Sequence, residues 1–204
     1  MSAPRVTIVD YEMGNRRSLQ RALERSGATV EISGDPDVVR RADRVAIPGQ
    51  GAFGQAVDHL VERGLFSALQ EVCADGRPVL GVCLGQQLLF ATSEEAPGRT
   101  GLAIVDDAVT LLPVGNGLKR PHMGWAPVHT TSKHPVLAAN PSGEAFYFVH
   151  SYAARRADGF DTATTEHGVT FVAALTAGNV VGTQFHPEKS QDAGQRLLTA
   201  WLSL

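Results

Sequence analysis

The segment Pro78-Val79-Leu80-Gly81-Val82-Cys83-Leu84-Gly85-Gln86-Gln87 constrains the chain more than any other. An apolar strand-like run meets a helical run with no loop between them. A cysteine sits at the junction, with a glycine two residues to either side. So sharp a turn crowds the backbone, and glycine tolerates the crowding. Elbows of this kind raise a nucleophile above the end of a sheet, here Cys in place of Ser. They belong to folds in which strands feed helices that return over the sheet.

The rest of the first half agrees. Arg5 to Val9, Thr29 to Ser33, Arg44 to Ile47 and Pro78 to Val82 read as strands. Asn15 to Arg25, with Leu19, Ala22 and Leu23 on one face and Gly27 as its stop, reads as a helix. So do Phe53 to Val61, Phe66 to Ala74 and Leu84 to Ala91. This alternation predicts an α/β fold with a central, mostly parallel sheet and helices on both faces. From Gly101 onward short β-rich segments take over, clearest at Phe146 to Val149, Phe171 to Leu175 and Val180 to Phe185. A striped helix from Ala193 to Leu202 closes the chain. With no repeat or linker, residues 1–204 read as one domain.

A thiol at the start of a helix feels the positive end of the helix dipole, which favours thiolate, the reactive form. The Leu84 amide, at the first helical position, has no intrahelical acceptor and is free to stabilise an oxyanion. The competing reading of the same string is tight strand–helix packing around a buried cysteine. Cys73, between Val72 and Ala74 in a helical run, has no such setting and reads as packing. A cysteine nucleophile needs a base, and position selects His186 among the 7 histidines. It follows the extended run Val180 to Phe185, Pro187 ends the strand there, and Glu188 lies two residues on. Extended residues two apart face the same side, so Glu188 can hold one imidazole nitrogen while the other faces the thiol. His59, His129, His134 and His167 read as surface or helix residues.

Hydrophobic residues make up 43% of the chain, charged residues 19%, and the net charge is −3. That balance carries no electrostatic footprint for nucleic acid, and no apolar run is long enough to span a bilayer. The 2 cysteines form no CxxC pair and fit a reducing, cytoplasmic compartment. No metal-ligand spacing occurs, so no metal is expected.

Together, Gly81-Val82-Cys83-Leu84-Gly85-Gln86-Gln87-Leu88 and Gln184-Phe185-His186-Pro187-Glu188 resemble the triad-type, class I glutamine amidotransferases. Further strings resemble one branch, the glutaminase subunit of imidazole glycerol phosphate synthase in histidine biosynthesis. They are Val9-Asp10-Tyr11 with Gly14-Asn15, Ile47-Pro48-Gly49-Gln50-Gly51-Ala52-Phe53, Pro121-His122-Met123-Gly124-Trp125 and Tyr147-Phe148-Val149-His150-Ser151-Tyr152. The resemblance covers essentially the whole chain. It implies Cys83 as nucleophile, His186 as acid and base and Glu188 as its orienter. It implies an oxyanion strand at Gly49, Gln50 and Gly51, whose peptide can adopt two orientations and acts beside Leu84. It implies contacts from Gln87, Ser151 and Tyr152 to the substrate, L-glutamine. Pro121, Met123, Trp125 and Lys189 would face a separate (βα)8-barrel cyclase subunit, forming a heterodimer. No cofactor is implied. Glu12, Arg16, Arg120 and Ala126 depart from the family's usual residues. The rivals are the glutaminase of another amidotransferase, a cysteine hydrolase of an unrelated ester or peptide, and a non-catalytic regulatory subunit.

Overall fold

The computed structural model describes residues 3–115 and 117–204. The first half folds as its alternation predicts. Strands β1 (Arg5–Val9), β2 (Thr29–Ser33), β3 (Val45–Ile47) and β4 (Val79–Val82) alternate with helices α1 (Arg16–Arg25), α2 (Pro36–Arg41), α3 (Phe53–Glu62) and α4 (Leu65–Ala74). Asn15 caps α1 by accepting from the Ser18 amide. Asp35 caps α2 ahead of a proline at its first turn.

The elbow helix is shorter than the expected Leu84 to Ala91. α5 covers only Leu84–Gln87, and Phe90–Ser93 is a strand, β5. Leu88, Leu89 and Phe90 are all fully buried, so the run has no solvent face that would favour a helix. The Leu88 carbonyl accepts from the Leu102 amide, and the Leu89 carbonyl from those of Ile104 and Val105. These long-range partners replace the next helical turn, so the thiol sits beside one turn of helix and its orphan amides rather than a long dipole.

The remaining strands are β6 (Val105–Leu111), β7 (His122–Thr130), β8 (Glu144–His150), β9 (Tyr152–Ala154), β10 (Asp161–Glu166), β11 (Thr170–Ala177) and β12 (Val180–Thr183), and α6 (Gln191–Leu202) ends the chain. Among the described residues the main sheet has nine strands in the order β2-β1-β3-β4-β12-β11-β10-β7-β8. Its first five pair in parallel. The β-rich second half extends the same sheet by antiparallel pairing, so the sheet as a whole is mixed. β5, β6 and β9 form a second sheet of three strands.

Side-chain alternation along the parallel strands builds two cores. Val6, Ile8, Ala46, Leu80, Val82 and Val181 pack under α1 and α6, around Trp201. Val9, Val45, Ile47, Val79 and Val180 pack under α2, α3 and α4, with Phe90, Val105 and Ala154 of the small sheet. Helices therefore cover both faces. Trp201 is fully buried, and truncating it to Ala would cost about 3–5 kcal/mol.

Candidate active site

The active-site candidates gather at the carboxyl ends of three neighbouring parallel strands, where ligand sites of open α/β sheets form. Cys83 follows β4 with φ 53° and ψ −105°, a conformation that L-residues seldom adopt. The surroundings hold it there. Its amide donates to the Thr183 carbonyl at 2.6 Å. A Cβ on Gly81 would meet the Gly85 carbonyl oxygen at 2.5 Å, and one on Gly85 would overlap the Ile47 carbonyl oxygen. Gly49 fits as closely from the other side. A Cβ there would overlap the Val82 carbonyl and the amides of Leu84 and Gly85. The glycines of both motifs thus let the oxyanion strand after β3 lie directly against the elbow.

That strand is braced from beneath. The Tyr11 hydroxyl donates to the Pro48 carbonyl. Burial, with Cys83 nearby, raises the phenol's pKa, keeping it a neutral donor. Glu12 stands at φ 66°, and its carboxylate accepts from Arg63 at 2.5 Å, while Arg16 pairs with Asp10. The two departures from the family pattern near the start therefore both form ion pairs, Glu12 from the loop after β1 to the end of α3 and Arg16 from the first turn of α1 back to that loop.

His186 and Glu188 follow β12 and do come together, but through a 3₁₀ turn over Pro187–Lys189 rather than through the extended backbone that the HxE spacing suggested. His186 Nδ1 lies 2.8 Å from Glu188 Oε1, with both side chains almost wholly buried. The opposite nitrogen, Nε2, is buried without a hydrogen-bond partner among the described residues, although Cys83 is near enough to act on its proton affinity. Burial alone would lower that affinity; the interactions with Cys83 and Glu188 outweigh it and raise the pKa to about 9. That raised affinity favours the protonated ring, one N–H of which is held by Glu188. Burial pushes the Cys73 thiol up to about 11, as its packing role predicts.

Cys83 opens into a cavity of about 160 Å³ lined by Gln50, Gly51, Leu84, Gln87, Glu95, Val149, His150, Ser151 and Tyr152. Six residues that the resemblance assigns to substrate or oxyanion thus meet the cysteine: Gln50, Gly51, Leu84, Gln87, Ser151 and Tyr152. Gly49 lies beneath them, against the elbow. A wider groove of about 570 Å³ along α6, lined by Asp192, Gln195, Arg196, Thr199 and Ser203 among others, has no cysteine and no histidine among its lining residues, so neither of its hydroxyls has an imidazole base beside it. Chemistry, not size, identifies the site.

Three lining residues have no role in the sequence reading, Val149 and the polar pair Glu95 and His150. Glu95 is the cavity's one carboxylate, with Oε2 accepting from the Phe53 amide at 2.8 Å; in sequence it is half of an ordinary Glu94-Glu95 pair. His150 Nδ1 lies 2.9 Å from the Tyr152 carbonyl, which only accepts, so Nδ1 carries the proton. His150 Nε2 must then accept from His122 Nδ1, 3.3 Å away. Burial, reinforced by the neighbouring imidazoles and partly offset by the Tyr152 bond, lowers the pKa of His150 to about 3. Burial and His167 lower that of His122 to about 4. His167, partly exposed, stacks on His122 with ring centroids 4.4 Å apart.

The residues expected to face a partner include exposed apolar side chains. Met123 and Trp125 on β7 are 63% and 50% exposed, and Pro121 is exposed beside them. Lys189 lies 5.7 Å over the Tyr147 ring, which packs edge-on against Trp125. Of the other departures, Ala126 is buried and Arg120 donates to the Leu112 carbonyl at 2.9 Å.

Residues 7–202 match the family profile described as "Glutamine amidotransferase class-I". The chain is 44% identical to "Imidazole glycerol phosphate synthase subunit HisH" of Moorella thermoacetica, covering 95% of this chain and 91% of that one. It is 40% identical to the protein of the same description from Methanosarcina mazei, covering 98% of each. In fold it is similar to "Structure of PurLQS from Thermotoga maritima", with a TM-score of 0.77 and 18% identity over 98% of both chains. A structure described as "Crystal structure of glutamine amidotransferase" superposes with a TM-score of 0.75 at 16% identity, over 97% of this chain and 99% of that one. With a profile match spanning nearly its whole length, the chain belongs to the class I glutamine amidotransferases.

Proposed function

We propose that this chain is the glutaminase subunit of an imidazole glycerol phosphate synthase. It would hydrolyse L-glutamine to glutamate and ammonia and deliver the ammonia to a separate (βα)8-barrel cyclase subunit. The observation that carries the reading is the strained Cys83 beside the buried His186–Glu188 pair, opening into a small polar cavity. Relatives at 40–44% identity over nearly the whole chain, described as imidazole glycerol phosphate synthase subunits, support the choice of synthase.

With its thiol proton passed to His186 Nε2, the Cys83 sulfur attacks the γ-carbonyl carbon of glutamine. The resulting oxyanion is met by the Leu84 amide and by an amide of the Gln50–Gly51 segment. As the C–N bond breaks, His186 Nε2 gives its proton to the leaving nitrogen, and ammonia departs from a γ-glutamyl thioester. Water then attacks the thioester while His186 takes its proton; the C–S bond breaks, releasing glutamate and the free cysteine. Glu188 keeps the ring aimed and stabilises its charged form. Glu95 suits the α-ammonium of the substrate, and Gln87, Ser151 and Tyr152 its remaining polar groups. Pro121, Met123, Trp125 and Lys189 form the docking face. Every step uses protein groups and water, with no cofactor. A nucleophilic thiol of this kind fits the reducing cytoplasm.

The test is reconstitution with the barrel subunit. Cys83→Ala should abolish glutamine-dependent synthesis yet leave synthesis from added ammonium intact, because the second site lies on the other chain. Glutamine-dependent synthesis surviving in Cys83→Ala would refute the assignment.

A further inference from the structure

Gln184 takes no part in the mechanism above, yet it touches the reacting atom. It is fully buried. Its Nε2 lies 3.6 Å from Cys83 Sγ, and its Oε1 lies 3.1 Å from Gln87 Nε2. Gln87 Nε2 in turn lies 2.9 Å from the Tyr152 carbonyl oxygen. The two ends of an amide differ only in hydrogen-bonding character, so the network must decide which end points where. Here it does. The Tyr152 carbonyl can only accept, so Gln87 presents its NH2 to it. That same NH2 reaches Gln184, which must therefore offer its oxygen. The NH2 of Gln184 is then left facing the sulfur. A fixed backbone carbonyl at one end of the relay sets a donor on the nucleophile at the other.

We infer that Gln184 is a further catalytic residue, donating an N–H to Cys83 Sγ and stabilising the sulfur as an anion, with Gln87 as the positioning residue that fixes its amide. The donor serves twice, since the sulfur is anionic before attack on the amide and again when it leaves the thioester. Hydrogen bonds to a charged form favour that form. The relay also assigns an orientation to Gln87. Both of its N–H groups are spent within the protein, so its Oε1 is the atom left to accept from the substrate.

The inference rests on Cys83 being the reacting thiol, and its test reads the sulfur rather than turnover. In a Cys73→Ser background, the rate of Cys83 alkylation by iodoacetamide is measured across pH in the full chain. Gln184→Met keeps the volume and loses the donor; at neutral pH it should react about tenfold more slowly, a low-end value for a hydrogen bond to a charged group. Its rate should converge on that of the parent at high pH, where the thiol ionises unaided. Gln184→Glu, which turns a carboxylate toward the sulfur, should be slower still. Gln87→Met frees the Gln184 amide to turn and should fall between the parent and Gln184→Met. Thermal melts identify the variants that remain folded, and Gln87→Met carries the test if the Gln184 variants do not fold. Folded variants that match the parent at every pH would overturn the inference. So would a deficit that persists undiminished at high pH, which would mark altered access. Failure of the wild type to form an adduct with a γ-glutamyl electrophile would instead break the functional reading, leaving the alkylation series still interpretable.

Discussion

The two halves of the main sheet do different work. In the parallel half, β3, β4 and β12 end side by side and deliver Gly49–Gly51, Cys83 and His186–Glu188 from their carboxyl ends. In the antiparallel half, β8 runs on into Val149–Tyr152, the cavity wall, and β7 exposes Met123 and Trp125. The groups that make and break bonds stand on strands buried from both faces, where neighbouring backbone fixes their positions. The surfaces that meet substrate and partner stand on the half added to that frame. The contrast extends to two histidines beside the same cysteine-lined cavity: His186 is held as a cation, with a pKa of about 9, and His150 neutral, at about 3. One has a carboxylate partner, whereas the other has a carbonyl and more imidazoles. The halves are also joined. The His186 amide donates to the Tyr147 carbonyl at 2.9 Å, and the Tyr147 ring packs against Trp125 and Lys189. The exposed patch is thus one residue from the backbone of the proposed base.

If bond chemistry belongs to the parallel half, the largest losses should come from it. His186→Ala should lower glutamine turnover roughly 10⁴-fold in a chain that melts earlier but still folds, because one ring serves both half-reactions. Glu188→Gln should be one to two orders of magnitude less damaging, since Glu188 acts only through the ring. A Glu188→Gln variant that fails to fold would make this carboxylate a structural group instead.

The next effect tests communication between the halves. Glutaminase turnover should be low for the isolated chain and rise with the barrel partner, then again with the partner's nucleotide ligand. A total rise of roughly 10²–10³-fold is the effect expected for gaining one oxyanion donor as the Gly49–Gly51 peptide turns. The partner can drive that turn only by binding the engaged state more tightly. Equal turnover in all three conditions would remove the switch while leaving the triad in place. A smaller effect is expected from Trp125→Ala, which should weaken partner binding by about thirtyfold, as for a central aromatic anchor. Basal turnover of the isolated chain should not change. Loss of basal turnover would show that the patch is part of the active site.

The smallest effect is on stability, and the two histidines predict opposite signs. His186 binds its proton more tightly folded than unfolded, so its contribution is complete below about 6.5 and lost as pH rises toward about 9. His150 binds its proton less tightly when folded, so its contribution is complete above about 6.5 and lost as pH falls toward about 3. Melting temperature should therefore fall on both sides of neutrality. His186→Gln should flatten the alkaline limb and His150→Gln the acid limb; exchanged effects would contradict the assignment.

The sequence disclosed the parallel half best, for a physical reason. Its strands are short apolar runs punctuated by helices with clear stripes, and its chemistry lies within two short strings, GVCLG and HPE. α2 was missed although Asp35-Pro36 carried a start signal, because six residues show little periodicity. The elbow run misled because buried apolar stretches look alike as helix or strand, and only the distant amides of Leu102, Ile104 and Val105 decide. Gln184, Glu95 and His150 take their meaning from partners far along the chain, and no local pattern encodes those. Cys83 and Gln184 are neighbours only after β4 and β12 pair.

The account's central claim is that Cys83, and no other group, forms a covalent bond with the γ-carbonyl of a glutamine-like substrate. It is tested most directly by treating the partner-bound protein with a γ-glutamyl electrophile, weighing the intact chain and mapping the adduct. One added mass on the peptide containing Cys83, absent from Cys83→Ala, is the predicted result. An adduct on Cys73, or no adduct in a folded and partner-bound chain, would contradict it.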